Sequence, residues 1–347
     1  MAGKYGLAVL GYAHGHVGVY ADQIRGFDDA EVLTCWDHDA ARGESQAAAH
    51  GHAYTADLDA VLRRDDVRGV MIGAETNRHA DLAVAAAQAG KDILIQKPLA
   101  FTLEDCDRII AAVDAAGVRA MVAYQMRCDP LNQKLRELVH SGTIGRVGYI
   151  RRRHCISVLF NPDFHKTWHV SAEANRGMFM DDACHAADFL QWILGQPVSV
   201  MAEIDNVLTN VAPDDTGVAI YRWADGCMGT LMNASVTHAA ENTTEVYGDR
   251  GVIIQNHDDA PSTSFKPADA VGLKLWTTAT GQFENVPVEL PAGHGARIAG
   301  VARPSVDWFL GKRDPITTLA EARGSAEMII AAYESAASGR RVSLPLG

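Results

Sequence analysis

A histidine flanked by carboxylates, a lysine closing an apolar run and a glycine turn following another are the residues of this sequence best placed to do chemistry. Asp181, His185 and Asp188 stand four and then three apart, which sets them on one face if the segment is helical. An imidazole exchanges a proton near neutral pH, and a carboxylate one turn away orients it. The plainer alternative is a helix-start aspartate beside a satisfied core histidine. Lys97 lies in Gln96-Lys97-Pro98 after the apolar run Asp92 to Ile95, where the proline keeps Lys97 extended and ends the strand. Ligands of open parallel sheets bind beyond the strands' carboxyl ends, so Lys97 there points at a reacting region; a lone lysine at a strand end can also be a solvated charge.

The run Tyr5 to Leu10 leads into Gly11-Tyr12-Ala13-His14-Gly15-His16 and an apparent helix, the place of a dinucleotide-binding turn. The fit is partial. Gly11 supplies the tight turn, Ala13 stands for the glycine that lets backbone approach a pyrophosphate, and His16 stands where a third glycine packs helix on strand. The next apolar run ends in Cys35-Trp36-Asp37-His38. An acidic residue about 20 residues past the turn accepts hydrogen bonds from adenosine ribose hydroxyls and meets a 2′-phosphate as a like charge. Asp37 is alternatively a helix cap, although Asp39 is a cap candidate in its own right.

Positioning these residues requires two kinds of scaffold. The first 125 residues alternate apolar runs (5–10, 31–36, 67–72, 92–95 and 119–123) with helical patterns (16–25, 39–50, 78–89 and 102–116), the signature of βαβ units and a doubly wound parallel sheet. After a helix near Pro130 to His140 the pattern turns to consecutive strand-like runs at 146–159, 198–204, 218–223, 227–233, 243–247 and 273–277, which predict an α+β domain with an open, largely antiparallel sheet. Helices over Asp181 to Leu194 and Leu319 to Ala337 complete it. The expected domains are thus 1–125 and 126–347, with the closing helix able to pack back on the first.

Composition narrows the function. A chain of 347 residues with net charge −12 lacks the clustered Lys and Arg of a nucleic-acid surface. The basic run Arg151-Arg152-Arg153 reads as a solvated strand face, or places Arg152, on the face opposite its neighbours, and the following His154 against a polar substrate. Six scattered cysteines without a CxxC pair fit reduced thiols in the cytoplasm. No uncharged apolar run approaches the roughly 18 residues that span a bilayer, and no export signal is read. His165 and His169 have the spacing of a zinc-protease helix, but Lys166 stands in place of its catalytic glutamate; no metal is expected.

The ordered motifs resemble one family. Glu75-Thr76-Asn77-Arg78-His79, Ala89-Gly90-Lys91 and Gln96-Lys97-Pro98, then Tyr124-Gln125-Met126-Arg127 with Pro130, Gly142-Thr143-Ile144-Gly145, and near the end Ala331-Ala332-Tyr333-Glu334-Ser335 resemble the Gfo/Idh/MocA oxidoreductases (glucose-fructose oxidoreductase and inositol dehydrogenase type). Gly177 to Asp188 resembles their GGGxxxDxxxHxxD motif with Asn175 and Arg176 in place of two glycines, and Trp168-His169 stands where the family often has Trp-Arg. The resemblance implies an NAD-dependent enzyme acting on a carbinol carbon of a sugar, cyclitol or polyol, with Lys97, Asp181 and His185 catalytic. Gly11, Ala13, His14, His16, Asp37, His38, Glu75, His79, Gln96, Lys97 and Gln125 fall to the cofactor. Tyr124, Arg127, Arg152, His154, Trp168 and His169 join the catalytic residues at the substrate, and the open sheet face makes a dimer or tetramer contact. Gln96 replaces the family's glutamate, so Lys97 loses a charge that favours its ammonium form. Two other readings keep the fold: an enzyme that cycles NAD to cleave a glycosidic bond, and a non-catalytic NAD-sensing regulator.

Overall fold

The computed structural model describes residues 3–239, 241–256 and 269–347, and they divide into two compact units. The first comprises residues up to Gln125 together with Gly295–Arg323. Its six strands, β1 (Tyr5–Leu10), β2 (Ala30–Trp36), β3 (Ala53–Tyr54), β4 (Gly69–Ile72), β5 (Asp92–Ile95) and β6 (Ala120–Val122), are all parallel in the order β3-β2-β1-β4-β5-β6. The order reverses between β1 and β4, and ligands of such sheets bind at that crevice. Strands β1 and β4 are buried throughout, as continuous apolar runs covered on both faces must be.

Helices α1 (His16–Ile24), α2 (Ala40–His50), α3 (Leu58–Leu62), α4 (His79–Gln88) and α5 (Leu103–Ala116) connect these strands. Asp39, Asp57 and Thr102 cap α2, α3 and α5 with side-chain oxygens, which satisfies amides that the first helical turn leaves orphaned.

The second unit comprises Met126–His294 and Gly324–Gly347. It opens with α6 (Pro130–His140) and β7 (Val147–Cys155), then the single-turn α7 (Ala172–Asn175), α8 (Met178–Leu194) and β8 (Ser199–Asp205). Strands β9 (Thr216–Arg222), β10 (Met228–Ala234), β11 (Asn242–Gly248), β12 (Gly251–Gln255), β13 (Leu273–Thr277), β14 (Phe283–Asn285) and β15 (Val342–Ser343) complete a nine-stranded sheet ordered β14-β13-β12-β11-β7-β10-β9-β8-β15. Every pair is antiparallel except β7 with β10. Helix α8 packs on β7 and β10, and all its first thirteen residues are buried. The sheet's other face exposes Met201, Val218, Ile220, Met228 and Tyr247.

One segment departs from the expected partition at residue 125. After α9 (His294–Ala299), helix α10 (Ala302–Phe309) lies against α1, and Phe309 stacks on Tyr5 at 5.8 Å between ring centroids. Arg303 and Lys312 both reach Asp29. The stretch returns to the first unit because it carries the apolar residues Val306 and Phe309 that cover that sheet. Helix α11 (Leu319–Ser338) begins in the first unit and continues in the second.

Candidate active site

Sites are built separately in each unit. In the first, Gly11 has φ +85° and its missing Cβ would lie 2.7 Å from the Ala74 Cα, so the turn after β1 closes on the end of β4 only with glycine there. The Tyr12 amide donates to Asp37 Oδ2 at 2.8 Å and the His14 amide to the Gly73 carbonyl at 2.8 Å. Helix α1 then starts after Gly15 without a side-chain cap, the condition in which first-turn amides hold an anion such as a pyrophosphate. Ala13 is half-buried within the turn, and the rings of His14 and His16 meet edge to face at 4.3 Å.

At the acidic end of β2, Asp37 is buried and His38 lies 3.5 Å from both Asp37 and Glu75. Burial alone would raise the Asp37 carboxyl, but hydrogen bonds from Arg42 and from the Tyr12 and Asp39 amides outweigh it and hold the group below its ordinary value. Beyond β4 and β5, the buried Thr76 Oγ1 and Gln96 Oε1 have no hydrogen-bond partner, and Glu75 Oε2 has only the ion-pair contacts of His38 at 3.5 Å and Arg78 at 3.6 Å. Buried polar groups are normally satisfied, so these oxygens fit a polar ligand bound beside them. The Gln96 amide donates to the Tyr20 hydroxyl at 3.0 Å. Lys97, Tyr124 and Gln125 are buried at the ends of β5 and β6. The His79 nitrogens face the Pro98 and Ala74 carbonyls at 3.0 and 3.2 Å, so its ring ties the ends of β4 and β5 together; burial lowers its pKa.

In the second unit, α8 carries Asp181, His185 and Asp188, all buried. The ring of His154, from β7, stacks on that of His185 with centroids 5.2 Å apart, and its Nε2 lies 3.3 Å from Asp182 Oδ1. Asn233 of β10 donates to the other Asp182 oxygen at 3.2 Å. Two imidazoles and two carboxylates thus share one buried region, whereas the motif spacing had pointed to Asp181, His185 and Asp188 and not to Asp182. Asp182 escaped notice because its partner lies on a strand distant in sequence.

Asp214 was missed for the same reason. Its carboxylate accepts from the Phe179 amide at 2.7 Å and from the Tyr333 hydroxyl at 2.7 Å, capping the helix that holds His185. Burial pushes its carboxyl up, against the pull of those two donors. Just before, Arg176 adopts φ +65° and ψ −45° with the Gly177 amide bonded back to the Asn175 carbonyl at 2.8 Å. That is a γ-turn of the strained, positive-φ kind, and the Arg176 guanidinium lies 4.7 Å over the Tyr333 ring.

Two arginines expected at the substrate have interior partners. Arg127 places Nε and Nη2 on the two oxygens of Asp188 at 2.9 and 2.7 Å. Arg152, 0 % exposed, donates to Thr244 Oγ1 at 2.5 Å and Gln255 Oε1 at 2.9 Å and lies 4.2 Å over the Phe189 ring. Arg151 turns to the opposite face and pairs with Glu245. Trp168 and His169 stack at 4.0 Å in a short 3-10 turn, and His165 belongs to a separate one, bonded to the Leu159 carbonyl. The two histidines therefore do not share an α-helical face.

Comparison with known proteins places the chain. Residues 6–124 match the model described as "Oxidoreductase family, NAD-binding Rossmann fold", and residues 132–254 match the "GFO/IDH/MocA C-terminal domain". Among curated relatives, myo-inositol 2-dehydrogenase of Thermotoga maritima is 27 % identical over 252 residues, covering 70 % of this chain and 73 % of that protein. Among solved structures, an oxidoreductase domain protein from Kribbella flavida shares the fold with TM-score 0.85 at 22 % identity over 99 % of this chain and 100 % of that one. Levoglucosan dehydrogenase, solved with NADH and levoglucosan, does so with TM-score 0.81 at 22 % identity over the same shares. No helix among the described residues is long and apolar enough to cross a membrane. The chain belongs to the Gfo/Idh/MocA family of oxidoreductases, with NAD as the ligand of its Rossmann domain.

Proposed function

We propose that the protein is an NAD-dependent dehydrogenase acting on a hydroxyl of a sugar, cyclitol or related polyol. The observation that carries the reading is the buried group on α8 and β7, where Asp181 and His185 share a helix face and His154 with Asp182 adjoins them. A regulator that only senses NAD has no use for such an acid/base group. Relatives named for myo-inositol, 1,5-anhydro-D-fructose and levoglucosan support the substrate class.

NAD supplies the hydride acceptor. His185 accepts the hydroxyl proton with Asp181 holding its ring, and Lys97 donates to the oxygen as charge develops there. On the cofactor side, Gly11, Ala13, His14 and His16 serve the phosphates, Asp37, His38 and Glu75 the adenosine end, and Gln96 and Gln125 the nicotinamide end. Tyr124, His154, Trp168 and His169 are assigned to the substrate. Arg127, Arg152 and His79 support these groups from behind. The exposed apolar residues Met201, Val218, Ile220, Met228 and Tyr247 share one face of the second sheet, and such a patch fits a contact between copies of the chain.

The test is stoichiometric. Purified protein with excess NAD and a panel of sugars, cyclitols and glycosides should release one NADH per oxidised product. Cleaved glycoside accumulating over many turnovers without matching NADH would overturn net oxidation. Lys97→Met and His185→Ala should each lose at least about a hundredfold in kcat, the scale of a general acid or base, while still binding NAD.

A further inference from the structure

Asp37 is more fully engaged than a ribose acceptor requires. Its Oδ1 accepts from the Asp39 amide at 2.9 Å and from Arg42 Nη2 at 2.8 Å; its Oδ2 accepts from the Tyr12 amide and from Arg42 Nε, both at 2.8 Å. An ionised carboxylate offers about four lone-pair sites, so these four donors fill it. Two of them are backbone amides, fixed by the glycine turn and by the start of α2. The other two belong to one side chain, Arg42, which is 25 % exposed and has its remaining nitrogen, Nη1, on Glu75 Oε1 at 3.0 Å.

We propose that Arg42 is an internal stand-in for the adenosine ribose diol, which NAD must displace from Asp37 in order to bind. The guanidinium edge presents two parallel N–H donors to the two carboxylate oxygens. The vicinal 2′- and 3′-hydroxyls of a ribose present two O–H donors to the same pair. Burying an ionised carboxylate without partners is costly, and Arg42 removes that cost until the diol takes its place. Glu75 keeps hold of Nη1 when the fork lets go, so the displaced cation stays compensated. Arg42 is thus a specificity-determining residue: it sets a threshold that a ligand passes only by satisfying both Asp37 oxygens. The proposal rests on NAD binding at this turn.

Titrating NAD into the purified full chain, followed by calorimetry, tests it. Arg42→Met keeps the aliphatic stem and removes the fork, and it should bind NAD roughly threefold to tenfold more tightly, the scale of a partly exposed bidentate pair. Arg42→Lys, with one prong, should fall between. With 2′-deoxy-NAD, whose adenosine ribose has one donor, half of the fork can stay, and the gain from Arg42→Met should shrink towards unity. In the wild type, the Arg42 Nε–H resonance should move on saturation with NAD. Unchanged or weaker NAD binding by a folded Arg42→Met, or an unmoved resonance, would overturn the proposal alone. A wild type that fails to bind NAD would overturn it together with the cofactor reading.

Discussion

Replacing Gly177 with alanine should loosen the start of the helix that carries Asp181 and His185. An added Cβ would lie 2.0 Å from Asp214 Oδ2, 2.7 Å from the Tyr333 hydroxyl and 2.9 Å from Asp214 Cγ, distances at which the carboxylate has to leave. The backbone there is extended, with φ 171°, so the cost comes from that collision and not from torsional strain. Two interactions go with Asp214: the cap on the Phe179 amide and the bond from Tyr333. A lost cap costs about 1 kcal/mol and an unmet buried polar group about 1–3 kcal/mol, together roughly 2–4 kcal/mol. For a unit of this size that is a fall of about 5–15 °C in Tm, with kcat reduced because His185 loses its support. Thermal unfolding of Gly177→Ala, Asp214→Ala and the double variant checks the cause. Once Asp214 is gone the new Cβ meets only the Tyr333 hydroxyl, itself released from that carboxylate, so the second substitution should cost less than it does alone. A Gly177→Ala protein with unchanged Tm, or one whose loss persists in full in the Asp214→Ala background, would refute the reasoning.

Other outcomes follow from neighbouring geometry. At Arg176, with φ +65°, glycine should be more stable than alanine by about 1 kcal/mol, the reverse of their usual order; chemical unfolding of the two variants checks it, and alanine at or above glycine refutes the γ-turn strain. Arg127→Met strands the buried Asp188 carboxylate and should cost about 3–5 kcal/mol, most of it recovered in a double variant with Asp188→Leu, as thermal unfolding would show. NAD should be preferred to NADP by tenfold or more in kcat/KM, since a 2′-phosphate would meet the carboxylates of Asp37 and Glu75, whose neighbouring guanidiniums, Arg42 and Arg78, are already paired with them; equal use of both cofactors contradicts this.

What the sequence made legible was local. The alternation of apolar runs with helical patterns foretold the parallel sheet of the first unit, and the long runs after His140 foretold the mixed sheet of the second, because each depends on the period of a single segment. Strand β3, of two residues, and helix α3, of five, are too short to show a period. Segment 295–323 looked like part of the second unit because chain order says nothing of where Val306 and Phe309 find a core.

The same division runs through the site. Asp181 and His185 are one helical turn apart, so spacing revealed them; strand alternation likewise separated Arg152 from Arg151. Spacing carries no record of what a side chain meets across the fold. The guanidinium of Arg127 was free to recognise a substrate until Asp188 appeared against it, and Asp37 looked open to a ribose until Arg42, on the first turn of the following helix, was found filling it. Gly177 shows the converse. Of the glycines in the motif it alone remains, and its reason is an aspartate oxygen standing where a Cβ would go. Asn175 and Arg176 stand where the motif has its other two glycines, whereas Gly177 lies under the carboxylate that caps the helix carrying Asp181 and His185. What the motif retains here is therefore a steric requirement of Asp214.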